Sequence, residues 1–348
     1  MGKLAVVLFN LGGPDKPESV EPFLFNLFND PAIIGAPTPI RWLLAKYISK
    51  KRAPIARGIY ENLGGKSPLL EHTKAQADGL AERLQQRDIE AKVFIAMRYW
   101  HPMTAETVKA VKNWGADEVV LLPLYPQFST TTSGSSINAW RTEADRQQLT
   151  AKTKAVCCYP TLPGFAIAQA RLIKETLAAH EQALPYRLLF SAHGLPERII
   201  EKGDPYVSQI EQSAEAIIDQ LMQQNVEIAD WRVCYQSRVG RLKWVEPYTE
   251  DEIERAGEEN LALLVVPIAF VSEHSETLVE LDIEYRELAA EKGVSAYWRP
   301  STVLTAPEYL DGLRDMVLSC LETGDLSVCR GDGHGVCAGT FAACPMKG

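Results

Sequence analysis

Short apolar, β-branched runs recur along the chain at residues 4–10, 92–97, 118–122, 153–159, 187–191, 232–235, 261–270 and 294–298. Several are continuous rather than alternating, the pattern of strands buried on both faces. Helix-like stretches lie between most of them, at 73–87, 104–114, 165–179, 207–224 and 276–292. Strands that alternate with helices mean βαβ units and parallel sheets covered on both sides. The eight runs divide into two halves. The expected fold class is therefore α/β, with two Rossmann-like, doubly wound domains and four-stranded parallel sheets. The expected organisation is an N-terminal domain at 1–155, a second at 156–300 and a C-terminal extension at 301–348.

Composition narrows the function. The chain has 348 residues and 46% hydrophobic content, ample to fill two cores. Its 36 Lys and Arg against 45 Asp and Glu leave a net charge of −9, which suits a metal cation better than nucleic acid. The apolar opening from Leu4 to Phe9 is too short for a secretory signal, and Val6 stands where a myristoylation signal needs Ser or Thr. No apolar stretch is long enough to cross a bilayer. Seven cysteines, an odd number without an export signal, favour thiols, metal or cluster ligation over a disulfide scaffold, and the expected location is the cytoplasm.

Open parallel sheets place ligands beyond the carboxyl ends of their strands. There stand NLGGP, MRYWHP, YPQFSTTTSGSS, FSAHGLP, CYQSRVG and AFVSEHSETL. No G-x-G-x-x-G follows the first run, the first glycine of a phosphate loop at LGGKS would fall on Tyr60, and no G-x-S-x-G elbow occurs. His193 follows a buried run directly; a lone histidine there reads either as a polar strand terminus or as a reactive group held by a rigid scaffold. Further on, Ser272 or Ser275 can cap a helix, and Glu273, Glu276, Glu280, Glu284 and Glu287 recur every three or four residues along one helical face. Such a row is a solvated face or a wet path for a divalent metal.

Through FNLGGP, RAPIARGIYENLGGKSPL, MRYW, PLYPQFSTTTSGSS, FSAHGLPERIIEKGDPY, YQSRVGRLKWVEPYT and PIAFVSEHSETLVELDIEY, the chain resembles the ferrochelatases, which insert ferrous iron into a porphyrin at the end of haem synthesis. The resemblance implies the chelatase fold, a porphyrin cleft between the domains, and protoporphyrin IX and Fe2+ as substrates. It implies His193, Glu276 and His274 as catalytic residues, His274 beside the acid, with His193 and Glu276 as contacts of the substrate iron on opposite sides of the macrocycle. Glu280 and Glu284 become the iron path. The chemistry agrees: a neutral imidazole is the best available acceptor for pyrrole protons, and oxygen ligands with histidine suit ferrous iron in transit. Tyr99, Arg52, Leu11 and Trp244 are implied as porphyrin contacts, with Arg52 near the propionates.

The apolar, acid-free segment 31–48 resembles the cleft lip of protoporphyrin-using members. It is a candidate for peripheral membrane contact, with an ordinary helix–helix contact as the alternative. Competing functions are a coproporphyrin III ferrochelatase, another tetrapyrrole chelatase and, from a different class, a haem or porphyrin carrier. Corrin-precursor chelatases present an early histidine where this chain has Asn10 and Leu11. Oligomeric state is not legible in the sequence.

The tail VCRGDGHGVCAGTFAACPMKG carries Cys329, Cys337 and Cys344, at a spacing that fits neither a zinc knuckle nor a ferredoxin run. Resemblance to ferrochelatases with cysteine-bearing tails implies a [2Fe–2S] cluster on these three and on Cys158, with Cys157 as the alternative; the animal fourth position falls at Thr130. Successive strand side chains face opposite ways, so at most one of Cys157 and Cys158 is expected to face the tail. Structural zinc helped by His334, or a reduced tail, are the other readings. Cys234 and Cys320 are expected as buried thiols.

Overall fold

Strand β1 (Leu4–Asn10) is buried along its whole length because it lies between β2 (Ala91–Met97) and β3 (Glu118–Pro123), all parallel. β4 (Lys152–Val156) follows β3 in the sheet. A two-residue strand, β9 (Val328–Cys329), adds a fifth parallel member outside β4, one more than the four expected. The second sheet has the order β6 (Trp231–Gln236), β5 (Tyr186–His193), β7 (Ala262–Pro267) and β8 (Tyr297–Trp298), again all parallel. In both sheets the sequence-first strand is central and the chain winds out to either side, which is the duplicated Rossmann-like arrangement of the chelatase fold.

This computed structural model describes residues 2–87, 89–180, 185–226, 228, 230–240, 242–322, 328–329 and 341–345. It divides into two compact units, Met1–Cys158 with Arg314–Gly331, and Tyr159–Leu313 with Asp332–Gly348. The first unit carries α1 (Val20–Phe28), α2 (Thr38–Glu61), α3 (Leu69–Gln85), α4 (Thr104–Trp114) and α5 (Ser133–Arg146). Its core joins Val7, Phe9 and Leu121 to Trp140, and each such buried side chain contributes roughly 1.5–3 kcal/mol. The second unit carries α6 (Pro163–Ala179), the single turn α7 (Glu197–Ile200), α8 (Tyr206–Gln223), α9 (Thr249–Glu258) and α10 (Tyr285–Glu291). Its core gathers Leu189, Val265, Leu281 and Tyr285. Helix α11 (Pro307–Glu322) begins in the second unit and ends in the first.

Two local expectations are corrected. The helix expected over 276–292 is a π-helix from Glu276 to Glu284 that continues as α10. The strand expected to reach residue 159 stops at Val156, so Cys157 and Cys158 leave the alternating geometry of the sheet. Their sulfurs are not on opposite faces but 3.3 Å apart.

Candidate active site

In the second unit, the carboxyl end of β5 and the start of the π-helix meet. His193 is the last residue of β5, and its Nδ1 lies 2.9 Å from Glu276 Oε2, so the two do not face each other across a macrocycle as expected but form one hydrogen-bonded pair. The Tyr206 hydroxyl donates to the His193 carbonyl at 3.0 Å, which fixes the strand end. The Trp244 ring stands edge-on to the imidazole, with centroids 6.4 Å apart, and its Nε1 donates to the Val239 carbonyl. Burial opposes a charged imidazole, but the charge and hydrogen bond of Glu276, with Glu280 further off, outweigh it and hold His193 above its ordinary pKa. Burial likewise opposes the Glu276 carboxylate, yet His193, then His274 and Ser237, hold it well below the ordinary glutamate range.

Glu280, one turn along, accepts from Ser237 Oγ at 2.5 Å, from Gln236 Nε2 at 3.0 Å and from the Tyr285 hydroxyl at 3.3 Å. Burial, joined by the nearby Glu276 charge, pushes its pKa up to about 7. Gln236 is itself oriented by Ser191 Oγ, which donates to its Oε1 at 2.7 Å, and it pairs with His193 in the β5–β6 register. Glu284 is exposed at the far end of the π-helix. His274 is buried beside Phe270, with ring centroids 4.7 Å apart; its Nδ1 has no partner among the described residues, and burial lowers its pKa.

Of the expected acidic row, Glu273 departs: it is buried and bound to Arg299 Nη1 at 3.1 Å and to the Thr302 amide at 2.8 Å. Gln236, Ser237 and Arg299 are site residues that the sequence did not single out. The first two stand in CYQSRVG, a strand end like that of His193, and that position was the available signal.

In the first unit, Leu11 packs half-buried on a cluster of Val20, Phe23, Tyr60 and Tyr99. Tyr99 is only 1% exposed, and its hydroxyl donates to Asp30 Oδ2 at 2.8 Å. The same oxygen pairs with Arg98 Nη2 at 2.7 Å and accepts from Ser135 Oγ at 2.6 Å, while Asp30 Oδ1 accepts from the Ala32 amide at 2.8 Å. Tyr99 thus anchors the root of the 31–48 segment. Arg52 is exposed on α2 with its guanidinium over the Phe28 ring at 5.9 Å. The same helix exposes Leu43 (63%) and Tyr47 (66%). No helix among the described residues is long and apolar enough to cross a membrane.

Among the described residues no three His, Cys, Asp or Glu side chains form a metal-holding group. Cys157 and Cys158 are buried, and Cys344 is buried beyond a segment whose Ala343 amide donates to the Gly203 carbonyl at 3.1 Å. β9 pairs Cys329 with Val156 through the backbone. The Cys329 side chain and Cys337 lie outside the described residues. Cys234 is a buried free thiol as expected; Cys320 is buried but disulfide-bonded.

The family profile described as Ferrochelatase matches residues 3–321. The ferrochelatase of Caulobacter vibrioides is 52% identical over 347 residues, covering 99% of this chain and 98% of its own length. That of Phenylobacterium zucineum is 52% identical over 322 residues, 92% of each chain, and that of Rickettsia bellii is 47% identical over 345 residues, covering 98% and 94%. Among solved structures, SirB from Bacillus subtilis with Fe3+ matches with a TM-score of 0.53 at 12% identity, over 92% of this chain and 96% of that one, a likeness of fold alone. With the profile covering nearly the whole chain and relatives at this identity end to end, the chain belongs to the ferrochelatase family.

Proposed function

We propose that insertion of ferrous iron into protoporphyrin IX, the terminal step of haem synthesis and the lyase reaction of this enzyme, runs through the line His193, Glu276 and Glu280. The observation that carries this reading is the 2.9 Å contact between His193 Nδ1 and Glu276 Oε2 at the end of a buried strand. With Nδ1 donating to the carboxylate, Nε2 keeps its lone pair and can accept a pyrrole proton. Two such protons leave as Fe2+ takes their place, so charge balances and no oxidation state changes. Glu276 orients the imidazole and stabilises it once protonated, as a carboxylate partner does for a catalytic histidine. Glu276 and His193 are the proposed iron contacts, Glu280 and exposed Glu284 the approach, and neutral His274 lies beside the acid.

Leu11, Arg52 and Trp244 are the proposed porphyrin contacts; Tyr99, expected among them, is buried with its hydroxyl on Asp30 and is proposed to act through that carboxylate instead. A His193→Ala protein should bind protoporphyrin with unchanged affinity and form no haem under anaerobic conditions with ferrous iron. Haem formation at the normal rate would refute the assignment and would revive the carrier reading.

The lip is proposed to rest on an anionic membrane surface, which places the enzyme in the cytoplasm at a bilayer. Supporting this are Leu43 and Tyr47, exposed on a helix that also carries Lys46, Lys50 and Lys51 and has no acid before Glu61.

A [2Fe–2S] cluster is the proposed cofactor of the tail. The donor set suits it: two sulfurs 3.3 Å apart at Cys157 and Cys158, with the backbone of Cys329 paired one residue before them. In the reduced protein, with Cys320 a thiol, Cys158 or Cys157 with Cys329, Cys337 and Cys344 would hold the group, which would brace the tail.

A further inference from the structure

Nine successive residues in π-helical geometry are unusual, because the wide turn makes poorer hydrogen bonds and is generally confined to a single turn. Ser275 supplies no side-chain cap at its start. What supports the element is the neighbouring strand. The Tyr297 hydroxyl in β8 donates to the Leu281 carbonyl at 2.8 Å, and Arg286 Nη1 donates to the Tyr297 carbonyl at 2.7 Å. Arg299, next after β8, is 6% exposed in its side chain. Its Nε donates to Asp282 Oδ1 at 2.7 Å and its Nη2 to Asp282 Oδ2. Its Nη1 reaches both oxygens of Glu273, at 3.1 and 3.3 Å.

One planar guanidinium therefore grips the segment on both sides of the functional acids. Glu273 lies in the loop before the π-helix and Asp282 lies within it, with Glu276 and Glu280 between them. We propose that Arg299 is a positioning residue for metal delivery, fixing the register in which Glu276 meets His193 and Glu280 meets Gln236 and Ser237. This inference rests on the reading of those acids as the metal-handling line.

A buried ionic bridge is a weak source of net stability, since desolvation offsets its attraction; setting register is its best-attested use. Lysine cannot replace the arginine here, because only the fork serves two carboxylates at once. A slip of about 1 Å at the acids is enough to cost up to about a hundredfold in turnover.

The test is steady-state insertion of zinc into a soluble porphyrin by the full-length chain, with KM measured separately for metal and porphyrin. Arg299→Gln should keep its porphyrin KM while its metal KM rises about tenfold, with Arg299→Lys recovering little of the loss. Asp282→Asn, which leaves the Glu273 half of the bridge, should move the metal KM in the same direction by less. A folded Arg299→Gln protein with an unchanged metal KM, or with metal and porphyrin KM raised in equal proportion, overturns the proposal. If that variant does not fold, Asp282→Asn decides by the same criterion. Glu276→Gln run alongside separates the two failures: normal insertion there removes the metal-handling line itself, whereas its loss beside a normal Arg299→Gln removes only the clamp.

Discussion

The Tyr99 hydroxyl donates to the buried carboxylate of Asp30 at 2.8 Å, and Arg98 neutralises the same oxygen at 2.7 Å. Asp30 in turn holds the Ala32 amide, so the start of the apolar lip is tied to the strand-end motif MRYW. Asp30→Asn leaves Arg98 half-buried without its counter-charge and should cost about 3 kcal/mol in urea denaturation. Tyr99→Phe removes one hydrogen bond and should cost about 1 kcal/mol. A Tyr99→Phe protein as unstable as Asp30→Asn would contradict this division of labour.

That relationship marks how far the sequence could be read. Asp30, Arg98 and Ser135 come from three separate stretches, and nothing in a single sequence says that they converge. His193 stands out in the sequence because it follows a buried apolar run, where an open parallel sheet exposes its functional groups, whereas Glu276 is singled out of its acidic row only by the resemblance to the ferrochelatases. The π-helix was not legible: acids every three or four residues fit an α-helix equally well, and the contacts that support the wider turn come from Tyr297 and Arg299, remote from the acids' own pattern. Glu273 looked like a member of the same row because its partner Arg299 is remote in sequence. The fold class followed from the alternation of strands and helices, whereas β9 is too short to carry a pattern.

Acid should weaken the Glu273–Arg299 bridge. Burial raises the Glu273 pKa, but the Arg299 charge and the hydrogen bonds around the carboxyl outweigh it, so the folded value lies below the ordinary 4.5. The unfolded chain then binds the proton more readily, and this contribution is fully present above 4.5 and lost as pH falls through the folded value. The stability gap between wild type and Arg299→Gln, measured by urea unfolding, should shrink from neutral pH into that acid range. A gap that widens on acidification would have the wrong sign.

Vesicle co-sedimentation reports on the lip. Wild type should bind vesicles containing anionic lipid, and less so at high salt, because basic residues flank the apolar face of α2. Replacing Leu43 and Tyr47 together by serine should reduce binding by about tenfold or more, since both side chains are more than half exposed and have apolar area to bury. Equal binding by the double variant would remove the membrane reading without touching catalysis.

The tail makes three predictions. Protein purified without oxygen should carry about two irons and two sulfides per chain, and Cys344→Ser should be colourless and less stable. Gly203 has φ +87°, and a Cβ there would lie 2.6 Å from the Ala342 amide nitrogen, so Gly203→Ala should expose residues 341–345 to limited proteolysis. A coloured, equally stable Cys344→Ser protein would leave the tail without a cluster role.

The central claim is that His193 and Glu276 act as one unit, and single-turnover insertion of ferrous iron into bound protoporphyrin tests it most directly. His193→Ala, Glu276→Gln and the double variant should all bind the porphyrin, and the double variant should be no slower than the worse single one, as for residues that share one function. Losses that simply multiply in the double variant would mean that the two side chains, although 2.9 Å apart, work independently.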